Sequence, residues 1–159
     1  MQDEKIQKAL NRAYFFLKFR PRSRQEMVDY LTKKSKRYKW DASVVDEAIK
    51  KLQEFELIND TKFTEWFIEQ KSAVKPKAVF VLKRSLKQYG IDPNLIEDYF
   101  ARNEFNEEEM ARKSLGSRLD RWKSLNKQER FKKLASYLQR RGFSYDVIKK
   151  TVAKLEEKE

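Results

Sequence analysis

The chain holds three glycines in 159 residues, and two of them stand in the same frame. In "SLKQYGIDPNLIEDYF", residues 85–100, Leu86 is followed by Gly90, Ile91 and Asp92, with Ile96 and Phe100 beyond. In "YLQRRGFSYDVIKKTV", residues 137–152, Leu138 leads with the same spacing to Gly142, Phe143 and Ser144, with Ile148 and Val152 beyond. A helix that ends on a left-handed residue favours glycine there, which has no Cβ to strain. The apolar residue that follows packs back, and the next residue caps a new helix. Gly90, Gly142 and Phe143 are therefore expected to be structural. Trp40-Asp41 occupies the frame a third time, with "KKSKRYK" and about four extra residues where the glycine would be. A recurrence of about 50 residues predicts a helical repeat, each unit leaning on its neighbour.

The rest of the chain fits that frame. Few Gly and Pro and many Lys, Glu, Leu and Ala favour helix throughout. Ile6, Leu10, Ala13, Tyr14 and Leu17 make one stripe, and Ser23 with Glu26 forms a capping box for a helix carrying Met27, Tyr30 and Leu31. Asp41 is expected to cap a helix carrying Val44, Val45, Ala48, Ile49 and Leu52. Asp60 is expected to cap one with Phe63, Trp66, Phe67 and Gln70. Pro76 is expected to begin the helix that Gly90 closes, and Asp92-Pro93 the next. Asn106 with Glu109 predicts a helix through Met110, Leu115, Leu119 and Trp122. Asn126 with Glu129 predicts the helix that Gly142 closes, and Ser144 the last. The expected fold is all-α: nine helices in three three-helix repeats, residues 1–59, 60–105 and 106–159, in an elongated and curved array.

Charge narrows the function. The net charge is +12, and the excess is uneven. Between Arg112 and Arg141 stand 11 basic residues against Asp120 and Glu129 alone. Such a field attracts polyanions. Cysteine and histidine are absent, which excludes disulfides, thiolate zinc sites and the commonest general base. No phosphate-binding Gly-x-x-x-x-Gly-Lys loop occurs, and Glu107, Glu108 and Glu109 read as helix N-terminal acids. The chain is expected to be no enzyme and to need no cofactor or metal. No apolar run approaches membrane-spanning length and no leader pattern opens the chain, so a cytoplasmic protein is expected.

Three segments carry a resemblance. "YLQRRGFSYDVI", residues 137–148, resembles the Leu-x-x-Arg-Gly-Phe signature of the RecX family, bacterial regulators of the RecA recombinase. "RPRSRQEMVDYL", residues 20–31, is similar to the family's Arg-Ser-x-x-Glu-Leu segment, and "LINDTKFTEWFI", residues 57–68, to its Leu-x-Asp-x-x-Phe junction. All three agree in order and spacing over nearly the whole chain. The chain departs from the family pattern at "KSAVKPKAV", which has no glycine, and at Thr64. The resemblance implies tandem three-helix repeats. It implies binding along a groove of the RecA filament on DNA, with inhibition of strand exchange, ATP hydrolysis and stimulated self-cleavage of partners.

Candidate contacts to the recombinase or to DNA follow from charge. Arg112, Arg118, Arg121, Lys123, Lys132 and Lys133 lie in the basic region, where Lys113, Lys127 and Arg130 add to the field. Arg140 and Arg141 point apart by about 100° on a helix, so one can serve the helix end while the other reaches a partner. Lys33, Lys34, Lys36, Arg37 and Tyr38 mix cations with an aromatic ring, a combination suited to single strands. Trp40 takes an apolar slot of the frame and is expected in the core, which leaves Tyr38 as the stacking candidate. Arg22 and Arg24 complete the set. The partners expected are a RecA filament and sequence-tolerant single- and double-stranded DNA, with no membrane, engaged by a monomer. Two other classes fit the charge: a helical transcription factor, and a scaffold for an acidic protein. No helix stands out as a base reader.

Overall fold

A computed structural model describes residues 1–157, and all of its regular structure among these residues is helical. The described residues divide into two compact units, Met1–Trp66 with Leu86–Ile96, and Phe67–Ser85 with the residues from 97 onward.

In the first unit, α1 (Gln2–Leu17), α2 (Arg24–Tyr38) and α3 (Ala42–Glu54) enclose a core of Leu10, Met27, Leu31, Val44, Ile49, Leu52 and Ile58, among others. Fully burying side chains of this size stabilises the fold by about 1.5–3 kcal/mol each. Trp40 belongs to this core, as its slot requires. Tyr14 does not: it lies about 80° from the centre of the α1 stripe and is exposed, and Ala9 takes the inward place. The Ser23–Glu26 capping box is complete in both directions. The Ser23 hydroxyl also donates to the Tyr89 carbonyl at 2.7 Å.

α4 (Asp60–Ser72) corrects a cap. Asn59, not Asp60, accepts the first amides of α4, those of Thr61 and Lys62. Asp60 instead accepts the Arg24 amide at 2.8 Å, so it serves the N-terminus of α2. An acid one residue inside its own helix is free to satisfy another helix's open amide.

In the second unit, α7 (Glu107–Leu115), α9 (Lys127–Arg140) and α10 (Tyr145–Glu157) enclose Ala111, Leu115, Leu134, Leu138, Phe143, Ile148 and Val152. The helix expected to run from Asn106 through Trp122 is broken. Gly116 adopts φ 52°, which ends α7, and α8 (Arg118–Arg121) is a separate turn. Leu119 and Trp122 still pack against the same core from there. Ten helices therefore replace the nine expected among the described residues. α5 (Val79–Gln88) begins at Val79 rather than Pro76, because the Ala78 amide is spent on the Arg141 carbonyl while the Ala78 carbonyl starts the helix. α6 (Pro93–Arg102) starts behind Asp92, whose carboxylate accepts the Asn94 amide.

The glycine frame takes the backbone it implied. Gly90 and Gly142 have φ 80° and 92°. The Ile91 amide donates to the Leu86 carbonyl and the Phe143 amide to the Leu138 carbonyl, each at 3.1 Å, which ties off a helix end. At the third occurrence Lys39 is left-handed at φ 56°, and Trp40 donates to Ser35 in the same way.

Candidate functional site

The basic residues of the second unit separate into those used internally and those left for solvent. Arg112 pairs with Glu109, which raises its pKa through a hydrogen bond and the adjacent charge. Lys113 donates to the Ser72 carbonyl at 3.1 Å. Arg118 lies half-buried with its guanidinium 4.3 Å from the centre of the Tyr137 ring. Lys127 and Arg130 both approach Glu156, at 3.6 and 3.9 Å. Arg121, Lys123, Lys132, Lys133 and Arg140 are exposed, and among the described residues their side chains make no ion pair. These five can meet a phosphate without first breaking an internal contact.

Arg140 and Arg141 differ sharply. Arg140 is exposed. Arg141 is half-buried, donates through Nη2 to the Lys75 carbonyl, and lies 5.8 Å from the Tyr137 ring centre. Its own carbonyl accepts the Ala78 amide at 3.2 Å. Arg141 thus fastens residues 75–78 to the end of α9, and Arg140 is the one free to reach outward.

In the first unit Arg22 is turned inward. Its Nε donates to the Phe16 carbonyl at 3.1 Å, its guanidinium stacks 3.7 Å from the Phe16 ring, and Glu26 lies 3.8 Å away. Burial, with Arg20 beside it, pulls its pKa below the ordinary arginine value. Arg20 bonds Glu26 and lies near the Trp66 and Tyr89 rings. The Arg-Ser-x-x-Glu segment is therefore an architectural knot. The Arg24 side chain, by contrast, is exposed.

The C-terminal end of α2 carries the other candidates. Lys33, Lys36 and Arg37 are exposed, and Lys34 lies 5.4 Å from the Tyr30 ring centre. Tyr38 is 37% exposed and stacks on Trp40 at 5.2 Å with 23° between the rings. Arg12 donates to the Tyr38 hydroxyl, and its guanidinium lies 5.2 Å from the ring centre. Together with Lys8, Asn11 and Phe15, these residues line a groove of about 490 Å³. The α1 residues are absent from the contacts expected on charge alone. A signal for them exists: Lys8, Arg12 and Phe15 recur at helical spacing away from the apolar stripe.

Among the described residues no three His, Cys, Asp or Glu side chains gather as a metal site. No described helix is long and apolar enough to cross a membrane. What the surfaces offer is charge and aromatic rings.

Comparison with known proteins agrees with the architecture. Residues 106–152 match the family model described as RecX, third three-helix domain, and residues 9–52 match RecX, first three-helix domain. A Regulatory protein RecX of Prosthecochloris aestuarii is 30% identical over 157 residues, covering 98% of both chains. One of Bacillus velezensis is 35% identical over 144 residues, 90% of this chain and 53% of that one. This chain spans about half the length of the Bacillus relatives it matches. The crystal structure of RecX from Lactobacillus salivarius superposes with a TM-score of 0.77 at 26% identity, over 97% of this chain and 98% of that one.

Proposed function

Since the chain belongs to the RecX family of regulatory proteins, we propose that it binds the filament of the RecA recombinase together with its DNA and inhibits strand exchange, ATP hydrolysis and coprotease action. It does so in the cytoplasm, as a monomer and without chemistry of its own, in the regulation of DNA repair, recombination and the SOS response. The observation that carries this is the agreement of the first and third three-helix domains with the family over one chain that also bears unpaired cations. Several weak contacts on one chain act together through effective concentration, so a repeat protein holds a polymeric partner better than a single subunit. Arg121, Lys123, Lys132, Lys133 and Arg140 supply the sequence-tolerant part, through phosphates or acidic side chains.

The decisive experiment is co-sedimentation with nucleotide-bound recombinase filaments, with free recombinase as control, followed by titration into strand exchange. Retention on filaments with inhibition is expected. Equal binding to free recombinase, or none to either, overturns the reading. Salt dependence tests the DNA component. If about 4 phosphates are neutralised, log affinity falls by roughly 3–4 per decade of salt on duplex DNA. A flat response removes DNA from the mechanism.

A further inference from the structure

The groove between α1 and the end of α2 differs in kind from the cationic surface of α8 and α9. It contains rings. Phe15 is 56% exposed, and Phe19 meets it edge-on with ring centres 5.2 Å apart. Phe15 lines the groove and stays more than half exposed despite that contact. Opposite stands the Tyr38–Trp40 stack, held by the Arg12 hydrogen bond to the tyrosine hydroxyl. Cations surround the rings. Lys8 and Arg12 line the groove, and the Arg37 guanidinium lies 5.6 Å from the Tyr38 ring centre. Among the described residues none of these three cations pairs with a carboxylate, and no acid lines the groove. A volume of about 490 Å³ is within the range of small-molecule sites.

We propose that this groove is a stacking site for a base of a single-stranded nucleic acid, with Lys8, Arg12 and Arg37 holding the phosphates on either side. The occupant follows from complementarity. A base offers a flat π-face to Phe15 and Tyr38, and the adjoining phosphates meet the cations. A duplex hides its base faces and satisfies only the cations. The inference deepens the reading of the chain as a regulator that binds DNA, and it rests on that reading.

Two oligonucleotides separate the effects: oligothymidylate of about 16 nucleotides, and an abasic strand of equal length with the same phosphates. Fluorescence anisotropy should give the parent about tenfold tighter binding to the thymidylate. Phe15→Ala and Tyr38→Ala should each lose that preference while keeping their affinity for the abasic strand and for duplex. Tyr38→Phe keeps the ring and should keep the preference, which separates stacking from the Arg12 hydrogen bond. Arg121→Ala with Lys133→Ala should weaken binding to all strands alike. Thermal unfolding confirms that each variant is folded. If the parent binds both single strands equally, the stacking site falls and DNA binding stands. If it binds neither, the DNA reading falls too. If Phe15→Ala spares thymidylate binding but loosens the hold on recombinase filaments, the groove is a protein contact and the proposal is overturned.

Discussion

The α2–α3 joint and the α9–α10 joint have the same backbone for different reasons. Each puts a left-handed residue after a helix, Lys39 in one and Gly142 in the other, and each follows it with a buried aromatic, Trp40 or Phe143. At Gly142 a Cβ would lie 2.2 Å from the Val81 Cγ2, well inside contact distance. Lys39 is exposed and carries a whole side chain there. At Gly90 the answer matches Gly142, since a Cβ would meet the Gln25 Cβ at 2.4 Å. Glycine at these joints thus reports a second segment pressed against the turn, more than the left-handed conformation itself. Where nothing presses, the joint accepts a lysine, and the surface around it is free for cations and Tyr38.

The comparison breaks or holds by substitution, measured as thermal or denaturant unfolding. Phe143→Ala should cost the most, about 3–5 kcal/mol, because the ring is buried and a cavity remains. A loss below about 1 kcal/mol would mean that the joint does not anchor the core of its unit.

Gly142→Ala should follow, at about 2–4 kcal/mol, combining left-handed strain with overpacking on Val81. Adding Val81→Ala should relieve part of the crowding, so that the two changes together cost less than their sum. Strict additivity would refute the close approach as the reason for the glycine.

Arg141→Ala should cost about 1.5–3 kcal/mol, through the lost charge-assisted bond to the Lys75 carbonyl. Arg140→Ala should stay within about 0.5 kcal/mol, yet weaken binding to filament and DNA. Equal stability losses would erase the division of labour between these neighbours.

The smallest effect has the opposite sign. Lys39→Gly should stabilise the fold by about 0.5–1 kcal/mol, because the strain of a side chain at φ 56° is relieved and nothing blocks the turn. A destabilised Lys39→Gly variant would show that the lysine side chain makes a contact worth more than the strain.

Features written in adjacent residues are legible in the sequence. The Ser23–Glu26 box, the Asn106 and Asn126 caps and the left-handed backbone at Gly90 and Gly142 depend on neighbours within about one helical turn, and the apolar slot of Phe143 is marked by its place in the repeated frame. The cationic region is legible too, because charge is a property of composition. Its internal division is not. Nothing in "RRG" distinguishes the arginine that bonds the Lys75 carbonyl from the one left exposed, because their difference is made 66 residues away.

Residue order alone specified a chain of helices, most of their caps and ends and the repetition of one joint, since each of these is a local balance of propensity and hydrogen bonding. Packing decided the rest. It sent Asp60 to cap α2, turned Arg141 onto the Lys75 carbonyl, and brought Lys8, Arg12 and Phe15 to the stack of Tyr38 and Trp40. The physical reason is the same in each case: a side chain goes to the nearest partner in space, and in these three cases that partner lies far away in the chain.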